Sequence, residues 1–166
     1  MINSLAVGLL VALVTWSQVF WPALDHSVRL VFVGDLMLDR GVERSVLKNG
    51  RGDFNWLFEL APKLRSADIV FGNLEGPLSD TGADLGNLYS FRMAPEAASA
   101  LATAGFSVVS LANNHSGDWG REALFDTIAR LTAVKIKTVG AATTSEGLRR
   151  PAVIEKNGQT IGFLAA

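Results

Sequence analysis

Apolar and polar positions divide this chain into short strand-type runs that alternate with helix-type stretches. Residues 28–34 are β-branched and nearly continuously apolar, the pattern of a strand buried in a parallel or mixed sheet. Residues 39–48 have helical spacing, with Val42, Val46 and Leu47 on one side, and stop at Asn49-Gly50. Residues 54–67 carry Leu57, Leu60, Ala61 and Leu64 on one helical face. Pro62 either kinks that helix or sits in the first turn of a shorter one. Residues 68–72 read as a second buried strand, 81–88 as a Gly/Asp/Asn loop, and 89–93 alternate as a strand would. Pro95 opens a helix with Ala97, Ala98, Leu101 and Ala102 inside, closed by Gly105. Residues 106–112 form the next strand. The helix that follows from about Arg121 places Leu124, Ile128 and Leu131 at spacings of four and three. Residues 138–140 are a short strand and 145–148 a helical turn. The runs 153–156 and 160–165 flank Asn157-Gly158, a strong hairpin signal.

Strands alternating with helices argue an α/β layered domain over 28–166. Residues 1–24 stand apart because they contain no charged side chain. As a helix, about 20 apolar residues span a bilayer core, and Trp16 and Trp21 suit its interface. A membrane anchor, a cleaved signal segment and a buried helix of the domain all fit this pattern. No Lys or Arg precedes the apolar run to set an orientation. The chain ends inside another apolar run, 161–166, so the expectation is the N-terminal part of a longer protein.

Composition narrows the function classes. The balance of 15 basic and 16 acidic residues gives net charge −1, with no basic stripe for nucleic acid. The absence of cysteine excludes disulfides, thiolate metal sites and cysteine nucleophiles. There is no Gly-x-Ser-x-Gly, no phosphate-cradling Gly-Lys-Ser/Thr and no dinucleotide-type glycine fingerprint. Arg51-Gly52-Asp53 spells an adhesion tripeptide but reads as a glycine-containing loop.

The candidate chemistry lies at three strand ends: Asp35; Asn73 with Glu75; and Asn114 with His115, followed by Asp118. Ligands collect beyond the C-terminal ends of parallel strands, where loops converge. Asp, Asn and His are oxygen and nitrogen donors suited to Mn, Fe, Zn or Mg. A bound metal polarises a phosphoryl or carbonyl oxygen and lowers the pKa of water. Each residue has a plainer reading as well. Asp35 suits an Asx-turn or helix cap, Asn73 a loop-backbone partner, Glu75 a surface pair, His115 a hydrogen-bonded loop residue and Asp118 a cap for the helix bearing Leu124. Asn113 reads as structural, and Asp39 as a cap.

Gly34-Asp35-Leu-Met-Leu-Asp-Arg40, Gly72-Asn73-Leu-Glu75-Gly76-Pro77 and Asn113-Asn114-His115-Ser116-Gly117-Asp118 resemble the bacterial capsule-synthesis CapA family of poly-γ-glutamate biosynthesis and export proteins. The similarity runs from about Val28 to the last residue. That family is grouped with the calcineurin-like metallophosphoesterases. The resemblance implies a four-layer α-β-β-α sandwich with two mixed sheets, here partial and preceded by the N-terminal apolar helix. It further implies a divalent, dinuclear metal centre with Asp35, Asn73 and Asn114 as ligands and His115 as the acid or transition-state stabiliser. Asp118 joins His115 as a catalytic candidate, and Glu75 belongs to the family's own pattern. Met37 stands where typical phosphoesterases carry a histidine, and Asn73 where they carry the bridging aspartate. These departures, with further histidine ligands expected beyond Ala166, imply weak metal occupancy in this chain. The expected function is a membrane-associated component of capsule or poly-γ-glutamate biosynthesis. Its partners would be an anionic polymer and other capsule-synthesis membrane proteins, with the domain outside the cytoplasm, anchored or secreted. The alternatives are a metal-dependent hydrolase of a phosphoester or amide bond, and a binding module that kept the fold without the chemistry.

Overall fold

The computed structural model describes residues 26–166. Its centre is a four-stranded parallel sheet: β1 (Leu30–Leu36), β2 (Ile69–Leu74), β3 (Phe106–Ser110) and β4 (Lys137–Val139), paired in sequence order. Between β1 and β2 run α1 (Arg40–Asn49), a 3₁₀ turn (Phe54–Phe58) and the short α2 (Pro62–Arg65). Helix α3 (Ala97–Ala104) joins β2 to β3, and α4 (Gly120–Ala133) joins β3 to β4. Parallel crossovers of one hand in a sheet of order 1-2-3-4 put every helix on the same face. The core shows this: Val70, Leu74 and Val109 of the sheet pack with Val46, Phe58, Leu64, Leu101 and Leu131 of the helical layer. The opposite face (Ile69, Val108 and Val139) meets Ala152 and Phe163 of a separate antiparallel hairpin, β5 (Ala152–Lys156) and β6 (Gln159–Phe163). Phe71 stacks on Phe163 at 5.5 Å there.

Local chemistry sets the element ends. Asp39 caps α1 by accepting from the Arg40 N–H at 2.5 Å. Gly105 closes α3 in the left-handed region, φ 104°, which a side chain disfavours. Asn157 and Gly158 both take positive φ, as the hairpin turn requires. Pro62 occupies the first turn of α2, so the 54–67 stretch is two short pieces rather than one kinked helix.

Two expectations change. The main sheet is purely parallel and the hairpin purely antiparallel, so neither is mixed; the described layers are helices, parallel sheet and hairpin. Residues 89–93 are not a strand. The Phe91 and Arg92 N–H groups go to the Asp118 and Asp39 side chains, and the Met93 N–H to the Pro77 carbonyl. Only the isolated bridge Leu78–Met93 remains. The apolar segment 1–24 lies outside the described residues. Among those described, no helix is long and apolar enough to cross a membrane.

Helix α4 also anchors the long connection after β2. Asp126 accepts from Ser79 Oγ at 2.5 Å and Arg130 Nε at 2.6 Å, and Arg130 reaches Asp80 at 2.6 Å. Burial pushes the Asp126 carboxyl up, but the Ser79 and Arg130 hydrogen bonds and the guanidinium charge outweigh it and hold the group below its ordinary value. A depressed folded-state pKa contributes stability that is present above the unfolded value, ~3.9, and is lost as pH falls through the lower folded one. Urea titrations at pH 7 and pH 3 should therefore find a smaller acid loss of stability in Asp126→Asn than in the wild type. Equal losses would remove Asp126 from the account of acid lability.

Candidate functional site

The C-terminal ends of β1, β2 and β3 line up because two strands carry an extra residue. Phe32 faces Phe71, yet Asp35 faces Asn73, so β1 spends three residues where β2 spends two. Val70 faces Phe106 while Phe71 faces Val108, a second slip in β3. Bulges of this kind re-aim side chains at sheet rims. Their result is a row, Asp35–Asn73–Ser110, across three neighbouring strands. Strand alternation then puts Glu75 on the same side as Asn73.

An amide network occupies this rim. The Asn73 Nδ2 donates to Asp35 Oδ1 at 2.9 Å and to Glu75 Oε2 at 2.5 Å. The Asn73 Oδ1 accepts from Asn113 Nδ2 at 3.0 Å, and that same Nδ2 donates to the Leu74 carbonyl at 2.9 Å. Asn113 Oδ1 in turn accepts from the His115 backbone N–H at 3.1 Å and from Ser116 Oγ at 3.0 Å. The first bond is an Asx-turn, in which a side-chain carbonyl captures the N–H two residues on. Asn113, read from sequence as structural, is thus the link between the β2 rim and His115.

Asp118 governs the imidazole. Its side chain is 1 % exposed and accepts three hydrogen bonds: from Asn87 Nδ2 at 2.9 Å, from the Phe91 N–H at 2.9 Å and from His115 Nδ1 at 2.8 Å. The carboxylate fixes the tautomer, since an acceptor at Nδ1 holds the proton there. The His115 Nε2 then faces Glu75 Oε1 at 4.0 Å, with the imidazole 15 % exposed. Phe91 covers the ring at 4.3 Å between centroids. Helix α4 begins at Gly120 with Trp119 as its cap residue, so Asp118 is not the helix cap that its position suggests; it is a positioning group for His115.

His115, Asp118, Asn114, Asn87 and Tyr89 line a cleft of about 350 Å³. Asn114 is exposed there and stands outside the Asp35–Asn73–Glu75 cluster. The Arg40 guanidinium sits 4.5 Å over the Phe91 ring and 5.8 Å over Tyr89, and donates to the Ser90 carbonyl at 3.4 Å. Arg40 has φ 55°, an uncommon conformation for a residue with a side chain. Neither Asn87 nor Arg40 stands out in the sequence.

A divalent cation is the group that the sequence resemblance implies. The residues as arranged do not fit one between Asp35 and Glu75, because the atom nearest both carboxylates is a hydrogen-bond donor, the Asn73 Nδ2. Among the described residues no three His, Asp or Glu side chains come together as metal ligands. One amide thus bridges both carboxylates, through an exposed bond to Asp35 and a part-buried one to Glu75.

The chain matches the family described as "Bacterial capsule synthesis protein PGA_cap" over residues 29–166. It is 31 % identical over 152 residues to a capsule biosynthesis protein CapA of Bacillus anthracis, covering 86 % of this chain and 36 % of that one. It is 29 % identical over 143 residues to a PGA biosynthesis protein CapA of Bacillus subtilis, covering 84 % and 37 %. A probable polyglutamine synthesis accessory protein of Mycobacterium tuberculosis is 28 % identical over 159 residues, covering 76 % and 42 %. The chain therefore spans little more than a third of the two CapA proteins it matches.

Truncating Asp118 removes the acceptor of the half-buried Phe91 N–H and His115 Nδ1 and of the exposed Asn87 amide. Asp118→Ala should lose about 1–3 kcal/mol in chemical denaturation, the range for leaving a buried donor without its acceptor. In Asp118→Asn, ¹⁵N NMR of His115 should report a mixed tautomer where the wild type holds the proton on Nδ1. An unchanged imidazole spectrum in that variant would contradict the orienting role.

Proposed function

The chain belongs to the bacterial capsule synthesis protein PGA_cap family, and on that premise we propose that it is a membrane-associated component of capsule or poly-γ-glutamate biosynthesis or export, whose cleft beside His115 holds a segment of the anionic polymer. The observation that carries this reading is the cleft's lining. Asn87, Asn114, Tyr89 and His115 offer neutral hydrogen-bonding groups, the Asp118 carboxylate is buried and satisfied, and the Arg40 guanidinium stands over Tyr89 at the rim. A polyamide bearing one carboxylate per unit needs amide partners for its backbone and a cation for its charge. A guanidinium already stacked on aromatic rings loses little freedom when it takes a carboxylate. Residues 1–24 supply the membrane association in this reading, with the domain on the extracytoplasmic side and other capsule-synthesis membrane proteins as partners.

Fluorescence anisotropy with labelled poly-γ-glutamate tests the cleft. Arg40→Ala should weaken binding about tenfold at low salt, and added salt should narrow that gap by screening the charge. Polymer affinity that is unmoved by Arg40→Ala would take the polymer out of this cleft. Cell fractionation tests the anchor: intact protein recovered in the soluble fraction would refute membrane association.

The Asp118–His115 pair favours a second reading, hydrolysis of an amide or phosphoester bond. An imidazole held by a carboxylate at Nδ1, with its Nε2 4.0 Å from a second carboxylate on Glu75, is the arrangement of a general acid or base. In that reading His115→Ala lowers turnover by roughly 10²–10⁴-fold. If the parent protein turns over neither γ-glutamyl nor phosphoester substrates while still binding polymer, the assembly role stands and the hydrolase role falls.

A further inference from the structure

Amide orientation is decided by what an amide bonds to, and at this rim the backbone decides it. The Leu74 carbonyl can only accept, so the atom of Asn113 beside it is the Nδ2. The His115 backbone N–H can only donate, so the atom of Asn113 beside that is the Oδ1. Two independent backbone groups thus fix Asn113 in one orientation. Its Nδ2 has a second proton, directed at Asn73, and the atom that receives it must be the Asn73 Oδ1. Asn73 is left to present its NH₂, one proton to Asp35 and one to Glu75. Turning the Asn73 amide over, so that its oxygen met a cation, would break both carboxylate bonds and set two NH₂ groups face to face.

We propose that the NH₂ of Asn73, aimed by Asn113, takes the place of a divalent cation between Asp35 and Glu75, so that this carboxylate pair is assembled by hydrogen bonding and is indifferent to metal. The role of Asn113 follows from the same geometry: it selects which atom of Asn73 meets the carboxylates. The proposal concerns this cluster alone and does not rest on the polymer reading, which uses the cleft on the other side of His115. Its chemistry gives a conversion. An aspartate at position 73 would keep the Asn113 bond through one oxygen and bring the other towards Asp35 and Glu75. Three carboxylates would then converge beside the His115 Nε2, a set of hard donors that suits Mn²⁺ or Mg²⁺.

The test uses the full chain as wild type and Asn73→Asp, followed by thermal unfolding and calorimetric titration with MnCl₂. Without metal, Asn73→Asp should melt several degrees below the wild type, because three like charges meet. With Mn²⁺ its melting temperature should rise by about that amount, while the wild type's stays where it was, and its affinity for Mn²⁺ should exceed the wild type's at least tenfold. A wild type that binds Mn²⁺ as tightly as the variant, or a folded variant that gains no affinity, would overturn the proposal. Should Asn73→Asp not fold in either condition, the wild type alone still decides. The Asn73 side-chain NH₂ resonances should be shifted downfield by their carboxylate acceptors and remain unmoved by Mg²⁺. A stoichiometric Mg²⁺-dependent shift of those resonances would mean that the amide turns over for the cation, and the proposal would fail.

Discussion

One buried carboxylate holds the site together. Asp118 is nearly inaccessible, and a buried polar side chain needs partners; three donors reach this one. Those donors come from two separate stretches, the turn between β3 and α4 and the loop that follows β2. The backbone repeats the tie, since the Asp118 carbonyl accepts from the Leu85 N–H and the Trp119 carbonyl from the Ala83 N–H. The same contacts that satisfy the charge fold the 83–91 loop against the sheet rim, bring Phe91 over the imidazole and bring Tyr89 to the cleft. A hydroxyl or neutral amide at position 118 would not recruit so many donors, so the loop would lose its reason to lie there.

Much of this was legible in the chain. The order and type of the helices and strands follow from periodicity and end signals, and the polar residues at the strand ends converge because parallel strands place them on one rim. The errors are equally physical. Residues 89–93 alternate like a strand, but alternation reports only which side chains are buried, not what the backbone bonds to. Here the Phe91 and Arg92 N–H groups are taken by carboxylates 27 and 53 positions away in the chain. The two bulges that align Asp35, Asn73 and Ser110 depend on neighbouring strands and leave no local signature beyond Gly34. Which of two adjacent asparagines turns inward is also set by the backbone rather than by residue type. An Asx-turn draws the first of the pair inward and leaves the second exposed, so Asn113 joins the cluster and Asn114 faces the cleft.

The two halves of the site follow different electrostatic rules, and His115 is their boundary. On one side Asp35 and Glu75 are drawn together by a neutral amide, which adds no charge and leaves the rim negative. On the other, the cleft exposes amides, a phenol and an imidazole, with the Arg40 cation at its edge. The two sides of His115 therefore differ in charge, two carboxylates on one and neutral groups beside a cation on the other.

That asymmetry traces to a backbone carbonyl. Leu74 ends β2, and its oxygen settles which way Asn113 lies. Asn113 settles Asn73, and Asn73 settles whether two carboxylates meet a proton donor or an acceptor. Polarity is handed from the main chain through two side chains to the charged groups, with no ionisable residue among the intermediates. A change at either asparagine that preserved shape but not polarity would leave the strands, bulges and core untouched and still remove the donor that holds the two carboxylates together. The fold determines where these groups stand, while two amides decide whether the carboxylate pair meets a hydrogen-bond donor or an acceptor.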